Sequence, residues 1–209
     1  MRNSHFAGTR APGDTSIRLA TSADADRIAE SLALAFEDDP VMALLFPEAG
    51  SRGRRLIRFF RTALLVQHLD RGACFTDVDV AAAALWNPPG QWHLTAGRLL
   101  RGSLGFLTAF GRNLPVALRA LAAVEGAHPH APHYYLAVLG TRPDRQGTGL
   151  GSSLLHPVLE RCDHDGLGAY LESSKERNIP FYRRHGFEVT GEIRLPGGPL
   201  VWPMWRDPR

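Results

Sequence analysis

The sequence predicts a single α/β domain, and three observations carry that reading. "HYYLAVLGT", residues 133–141, has the aromatic and β-branched content of a buried strand. It runs into a glycine-rich turn and then an apolar series, Leu150, Leu154, Leu155, Val158 and Leu159, at helical spacing. Beyond that helix, "AYLESS", residues 169–174, is a second strand, and strands alternating with helices mark this class. No internal repeat and no linker-like shift of composition divides the chain. Its 209 residues, 44% hydrophobic and 22% charged, suffice for one good-sized core.

From the N-terminus, residues 1–16, "MRNSHFAGTRAPGDTS", lack the apolar stretch of a secretory signal and are expected to be a flexible polar arm. The domain then spans residues 17–209. A short strand over residues 17–20 precedes Thr21 and Ser22, which suit a helix start, and Ala25, Ile28, Ala29, Leu32, Ala35 and Phe36 follow at helical spacing. "EDDP" stops that helix, and Asp39 is placed to cap a short one through "VMALLFPE". A longer helix covers roughly residues 52–68, with Arg54, Arg58 and Arg61 on a solvated face opposite Leu56, Phe60 and Ala63. "GACFTDVDVAAAALWNPPG" reads as two strands about a tight turn near residues 77–79. Residues 91–125, rich in Leu, Ala and Arg, carry breakers at Gly102, Gly105, Gly111 and Pro115 and predict two or three helices. "HPHAP" is a loop. In the helix after the glycine turn, His156 should lie on the surface and Pro157 should bend the axis. Near the C-terminus come a short helix "IPFYRRH" ended by Gly186, a strand "FEVTGEIRL", a loop and a strand "VWPMWR". An exposed last strand could pair with a second chain, so a monomer and a homodimer are both open.

The balance of 24 basic and 21 acidic residues, net +3, is too small and too dispersed to imply nucleic acid. Cys74 and Cys162 are too few for a disulfide framework. No apolar run reaches the roughly eighteen residues of a membrane span. His128, His130 and His133 could suggest a metal, but no cysteine or paired carboxylate joins them, and a solvated loop is expected. The reading is a cytoplasmic, reduced protein without a metal.

Gly147, Gly149 and Gly151, in "RQGTGLG", would weaken a helix start unless something must approach the backbone closely. The N–H groups of a first helical turn lack intrahelical partners, and the aligned peptide dipoles favour an anion there. A mononucleotide loop would need a lysine after the last glycine, where Ser152 and Ser153 stand. A dinucleotide fold would need G-x-G-x-x-G. Glu172 lies at a suitable distance for its acidic partner, but the glycine spacing is off by one and residues 142–145 separate strand from turn.

Residues 146–151 read instead as Q-x-x-G-x-G, and "NIPFYRRHGF", residues 178–187, supplies an Asn followed by F-Y-x-R-x-G-F. These two motifs resemble those of the GNAT N-acetyltransferases. "AFEDDP", "LWNPPG", "YLESS" and "GGPLVWPMWR" are similar to the branch of that family containing puromycin N-acetyltransferase, from about Ile17 to the C-terminus. The resemblance implies a mixed central sheet flanked by helices, its fourth and fifth strands splayed to admit pantetheine. It implies acetyl-coenzyme A as acetyl donor and a small-molecule primary amine as acceptor, with aminonucleosides among the candidates. It assigns Gln146, Gly147, Thr148, Gly149, Leu150 and Gly151 to the diphosphate. The backbone of Leu139, Gly140 and Thr141 falls to the acetyl and pantetheine groups, with the Leu139 N–H as oxyanion donor. Thr141 stands where valine is more usual. Asn178 is left to cap its helix, to bind the pantetheine arm, or both.

An alkyl amine with a pKa of about 10.4 is charged at pH 7, so amide formation needs a base. The resemblance makes Tyr182, four residues after Asn178 and on the same helical face, the tyrosine beside the thioester sulfur. A phenol near pKa 10 facing a thiol near 8.5 would hydrogen-bond the developing thiolate and protonate it late. Glu172, expected on the opposite side of its strand from Tyr170, would take the amine proton through water; a carboxylate that merely fixes nearby backbone is the competing reading. Glu37, Asp38 and Asp39 either attract a cationic acceptor or simply end and cap helices. The acceptor pocket should be walled by residues 36–46 and the helices of residues 91–125. The rival to an enzyme is a non-catalytic module that binds acetyl-coenzyme A and reports its level to a partner.

Overall fold

A computed structural model describes residues 16–93 and 95–209. All of the expected polar arm except Ser16 lies outside the described residues. β1 (Ile17–Leu19), β2 (Cys74–Asp77), β3 (Ala82–Asn87) and β4 (His133–Thr141) form successive antiparallel pairs. β5 (Gly168–Ser173) is parallel to β4. β6 (Glu188–Val189) and β7 (Ile193–Arg194) both pair antiparallel with β8 (Leu200–Arg206), whose other edge is bonded to β5. The expected exposed last strand is therefore interior and has no free edge to offer a second chain. "FEVTGEIRL" is interrupted at residues 190–192. That break explains how Pro203 is accommodated inside a sheet. In an antiparallel strand the N–H and C=O of one residue face the same neighbour. The Pro203 carbonyl accepts from Thr190 N–H at 2.9 Å, so the missing N–H falls on the interrupted side and costs no bond to β5.

Helices cover both faces. α1 (Ala25–Ala35), α2 (Pro40–Leu45), α3 (Ala49–Ala63), α4 (Ala96–Phe110) and α5 (Leu114–Ala127) enclose a core that includes Ile28, Leu32, Phe46, Phe60 and Leu85. α6 (Leu150–Asp165) and α7 (Ile179–Arg184) close the other face over Trp86, Leu136, Leu154, Leu171 and Phe187. Asp39 caps α2, its Oδ1 accepting from the N–H groups of Val41 and Met42 at 2.9 and 3.0 Å. Gly102 and Gly105, read as breakers, lie inside α4. A Cβ on Gly105 would stand 2.3 Å from Thr62 Oγ1, so the glycines let α3 pack close. The real breaks are Gly111, at φ 52°, and Pro115, in the first turn of α5.

α3 runs on into a π-helical turn, Leu64–His68, that buries His68. His68 Nδ1 lies 3.1 Å from Asn87 Oδ1, which can only accept, so Nδ1 carries a proton. Burial, reinforced by Arg71, pushes the His68 pKa from 6.5 to about 3. Below about pH 6.5 the unfolded chain binds a proton that the folded chain refuses. This residue therefore makes stability rise with pH between those two values, by up to about 1.4 kcal/mol per pH unit. Urea unfolding at pH 7 and pH 5 should show a smaller acid loss for His68→Gln than for the parent chain; equal losses would contradict the assignment.

Candidate active site

The cleft begins at a bulge. Leu85 opposes Val138 but Trp86 opposes Leu136, which leaves Ala137 without an opposite residue on β3. Parallel pairing of β4 with β5 stops at the same level, with Leu136 against Leu171. Beyond it, residues 138–141 pair only with β3, while Glu172 and Ser173 pair only with β8. The strands part around a cleft of ≈ 600 Å³ bordered by β4, β5, the glycine turn and α7.

Hydrogen-bond phase fixes which backbone groups face it. Arg142 N–H donates to Ala81 O at 2.9 Å, toward β3. By alternation the N–H groups of Gly140 and Val138 also face β3, and those of Leu139 and Thr141 face the cleft. Gly140 has a separate reason to be glycine. A Cβ there would lie 2.7 Å from Leu32 and 2.9 Å from Phe36, so it seats α1 against the sheet.

Gly147 and Gly149 have φ of 76° and 89°, the left-handed region that favours glycine. A Cβ on either would meet nothing within 4 Å, so conformation, and no protein neighbour, dictates glycine at both. Gly149 is the N-cap of α6, and no side chain caps that end. The N–H groups of Leu150, Gly151 and Ser152 consequently have no intrahelical acceptor, at the positive end of the helix. Gly151 serves packing as well, since a Cβ would lie 3.3 Å from Phe181. Gln146 Nε2 donates to Thr141 O at 3.2 Å and ties the turn to β4. Thr148 Oγ1 donates to Arg145 O at 2.7 Å, closing the turn on itself; Thr148 does not border the cleft, whereas Gln146, Gly147, Gly149, Leu150 and Gly151 do. Arg145 and Arg184 also border it. An uncapped helix start flanked by two guanidinium groups fits a diphosphate, and the gap lined by free strand amides fits an extended amide-bearing arm.

Tyr182 and Asn178 border the same cleft from α7 and its start. Tyr182 is buried against Phe181 and Phe187, and no described residue hydrogen-bonds its hydroxyl. Burial, aided by the Asp39 charge, raises its pKa well above the ordinary phenol range, so the group is a proton donor at neutral pH. The Asn178 side chain does not cap α7, which removes one of its two expected roles.

Glu172 borders the cleft, but its side chain shares a face with Tyr170, contrary to expectation, because residues two apart on a strand point the same way. Tyr135, opposite Tyr170 on β4, donates its hydroxyl to Glu172 Oε2 at 2.8 Å. His128 and His133 are buried, at 5% and 3% exposure, instead of solvated; only His130 of the three is exposed. Trp92 stacks on His128 with ring centroids 3.7 Å apart, a contact from a distant segment that no local pattern announces. Among the described residues no group of three or more His, Cys, Asp or Glu is set to hold a metal.

The acidic turn after α1 divides its work. Asp39 is buried on the cleft wall, capping α2 while accepting the Ser174 hydroxyl; Asp38 pairs with Lys175 and Arg177; Glu37 is exposed. Phe36 lines the cleft as expected, but no described residue of 91–125 does. α4 packs on α3, and α5 on α2 and β7, one layer away from the opening.

Fold and site together define an α/β protein whose two parallel strands part around a cleft headed by an uncapped helix start. The sequence profile of the Acetyltransferase (GNAT) family matches residues 73–187, and the chain belongs to that family of acetyl-coenzyme A-dependent enzymes. An N-acetyltransferase of Schizosaccharomyces pombe, described as uncharacterized, is 29% identical over 188 residues, 82% of this chain and 74% of that one. A Corynebacterium glutamicum crystal structure, described as a histone acetyltransferase and related acetyltransferase, superimposes with a TM-score of 0.70 at 28% identity, covering 92% of this chain and 96% of that one. Drosophila melanogaster polyamine N-acetyltransferase shares the fold, with a TM-score of 0.62 at 17% identity over 93% of this chain and all of that one. No helix among the described residues is long and apolar enough to cross a membrane.

Proposed function

We propose that the protein moves an acetyl group from acetyl-coenzyme A to the primary amine of a small molecule, with Tyr182 and Glu172 as its catalytic residues. One observation carries this reading: a proton-donating phenol and a carboxylate border the same cleft as the uncapped helix start. Acetyl-coenzyme A supplies the activated acetyl group when bound. Leu150, Gly151 and Ser152 would hold its diphosphate through their N–H groups, and Thr141 and Asn178 its pantetheine arm. The Leu139 N–H would meet the acetyl oxygen, where charge builds during transfer. Glu172 takes a proton from the acceptor ammonium, and Tyr182 donates one to the departing sulfur.

Similarity to the puromycin-modifying branch makes an aminonucleoside antibiotic a candidate acceptor. The buried carboxylate of Asp39 and the half-buried one of Glu172, both on the cleft lining, suit a cationic amine. The test is thiol release from acetyl-coenzyme A across puromycin, aminoglycosides, polyamines, amino acids and peptide N-termini. Release with a small amine at a rate well above hydrolysis is the expected result. Absence of release with every amine would contradict the proposal.

A further inference from the structure

Behind Glu172 lies a buried cluster that the steps above do not use. His128, at the end of α5, presents its two ring nitrogens to different partners. Nε2 is 3.1 Å from His133 Nε2, and Nδ1 is 3.6 Å from Glu172 Oε1. The protons can be placed by elimination. His133 Nδ1 lies 2.6 Å from Ala131 O, which can only accept, so that nitrogen carries a hydrogen. Burial lowers the His133 pKa and keeps the ring neutral, which leaves its Nε2 as an acceptor. The bond between the two rings is therefore donated by His128 Nε2–H. In the singly protonated ring, Nδ1 of His128 is then the nitrogen that turns its lone pair toward Glu172.

On the other side, Glu172 Oε2 accepts from Tyr135, a phenol kept protonated by burial. Glu172 Oε1 is buried and has no hydrogen-bond partner among the described residues, and the Tyr170 hydroxyl, buried and equally unpartnered, interacts with the same carboxylate. Nδ1 thus faces, at 3.6 Å, a buried carboxylate oxygen that lacks a hydrogen-bond partner, and one added proton would join the two. Tyr170 from β5 and Tyr135 and His133 from β4 face the same space, with Glu125 of α5 acting on Tyr135 at longer range. Among the described residues, Glu172 is the carboxylate within ion-pair distance of His128.

We propose that Glu172 and His128 form one shared-proton base, in which the proton that Glu172 takes from the acceptor ammonium passes on to His128 Nδ1. The inference rests on the reading of Glu172 as the group that deprotonates the amine. One N–H bond of the ammonium breaks as an O–H bond forms on Glu172. That O–H bond breaks in turn as Nδ1–H forms. The products are a neutral amine, a carboxylate and an imidazolium, with total charge unchanged, and the imidazolium later returns its proton through Glu172 to the cleft. The relay has a purpose: an imidazole nitrogen is intrinsically a stronger base than a carboxylate oxygen and so a better sink for an ammonium proton. His128 does not border the cleft, so it is a positioning residue that acts through Glu172.

Two measurements test this. Nitrogen-detected imidazole NMR on the full chain without ligands should show His128 as the Nε2–H tautomer at pH 8. Its Nδ1 should gain a proton on acidification, at a midpoint about one pH unit or more lower in Glu172→Gln than in the parent. An Nδ1–H tautomer at pH 8, or the same midpoint in both chains, overturns the shared proton. This arm needs neither acceptor nor acetyl-coenzyme A, so it stands apart from the proposed activity. The second arm is the pH profile of kcat/KM for the panel amine with the fastest thiol release. His128→Gln should lower the rate about tenfold and move the acidic limb to lower pH, with the KM for acetyl-coenzyme A unchanged. A uniform loss at every pH would mean a purely structural histidine and overturns the relay.

Discussion

Tyr182→Phe should lower kcat for thiol release by about 10²-fold or more and leave acetyl-coenzyme A affinity within about twofold of the parent. The hydroxyl has no partner among the described residues, so its removal breaks no internal hydrogen bond. The phenylalanine ring keeps the contacts with Phe181 and Phe187, at centroid distances of 5.2 and 6.1 Å. What is lost is a proton donor held in its protonated form by burial. Because that pKa is raised, ionisation of Tyr182 should not shape the rate near neutral pH. Steady-state thiol release and calorimetric binding on the same preparations separate the two quantities. A kcat equal to that of the parent would remove Tyr182 from the chemistry.

Gly149→Asp separates binding from stability in the opposite way. A side chain at φ 89° carries strain of about 1 to 2 kcal/mol, although Asp tolerates that region better than most residues. A carboxylate at a helix N-cap recovers part of this by accepting free N–H groups and favouring the dipole. No protein atom stands within 4 Å to obstruct it. The variant should therefore fold with a modest change in stability. Its charge would sit where the diphosphate belongs, and like charges brought together cost several kcal/mol, so acetyl-coenzyme A should bind about 10²-fold more weakly or worse. Gly149→Ala should show the reverse ratio, with strain dominating and binding reduced less. Undiminished binding by the Asp variant would mean that the anion sits elsewhere.

The parts of the site that could be read from the sequence are those whose chemistry is local. Gly147 and Gly149 advertise a left-handed backbone, the spacing from Leu150 to Leu159 advertises a helix, and Asn178 and Tyr182 lie one helical turn apart. Contacts between distant segments were not legible. Gly102 and Gly105 look like breakers because their partner, Thr62, is some forty residues away in the chain. His128 and His133 look solvated because Trp92 covers the first, and Tyr170 and Trp205, each edge-on to the ring, enclose the second. "VWPMWR" looks like an edge because Pro203 is unusual inside a sheet, and only the interruption between β6 and β7 makes it tolerable. The bulge at Ala137 leaves no mark on composition, yet it is where β4 and β5 part.

Binding of acetyl-coenzyme A requires a diphosphate resting on the amides of Leu150, Gly151 and Ser152 while its thioester arm enters between β4 and β5. Titration of the full chain with acetyl-coenzyme A, followed by heat and by melting temperature, tests this most directly. Saturation at about a hundred times Kd adds about 2.7 kcal/mol to stability. For a chain of this size that should raise the melting temperature by roughly 5 to 10 °C. Gly149→Asp should lose the shift and Tyr182→Phe should keep it. No heat and no shift with the parent chain, at acetyl-coenzyme A concentrations up to the millimolar range, would contradict the account at its base.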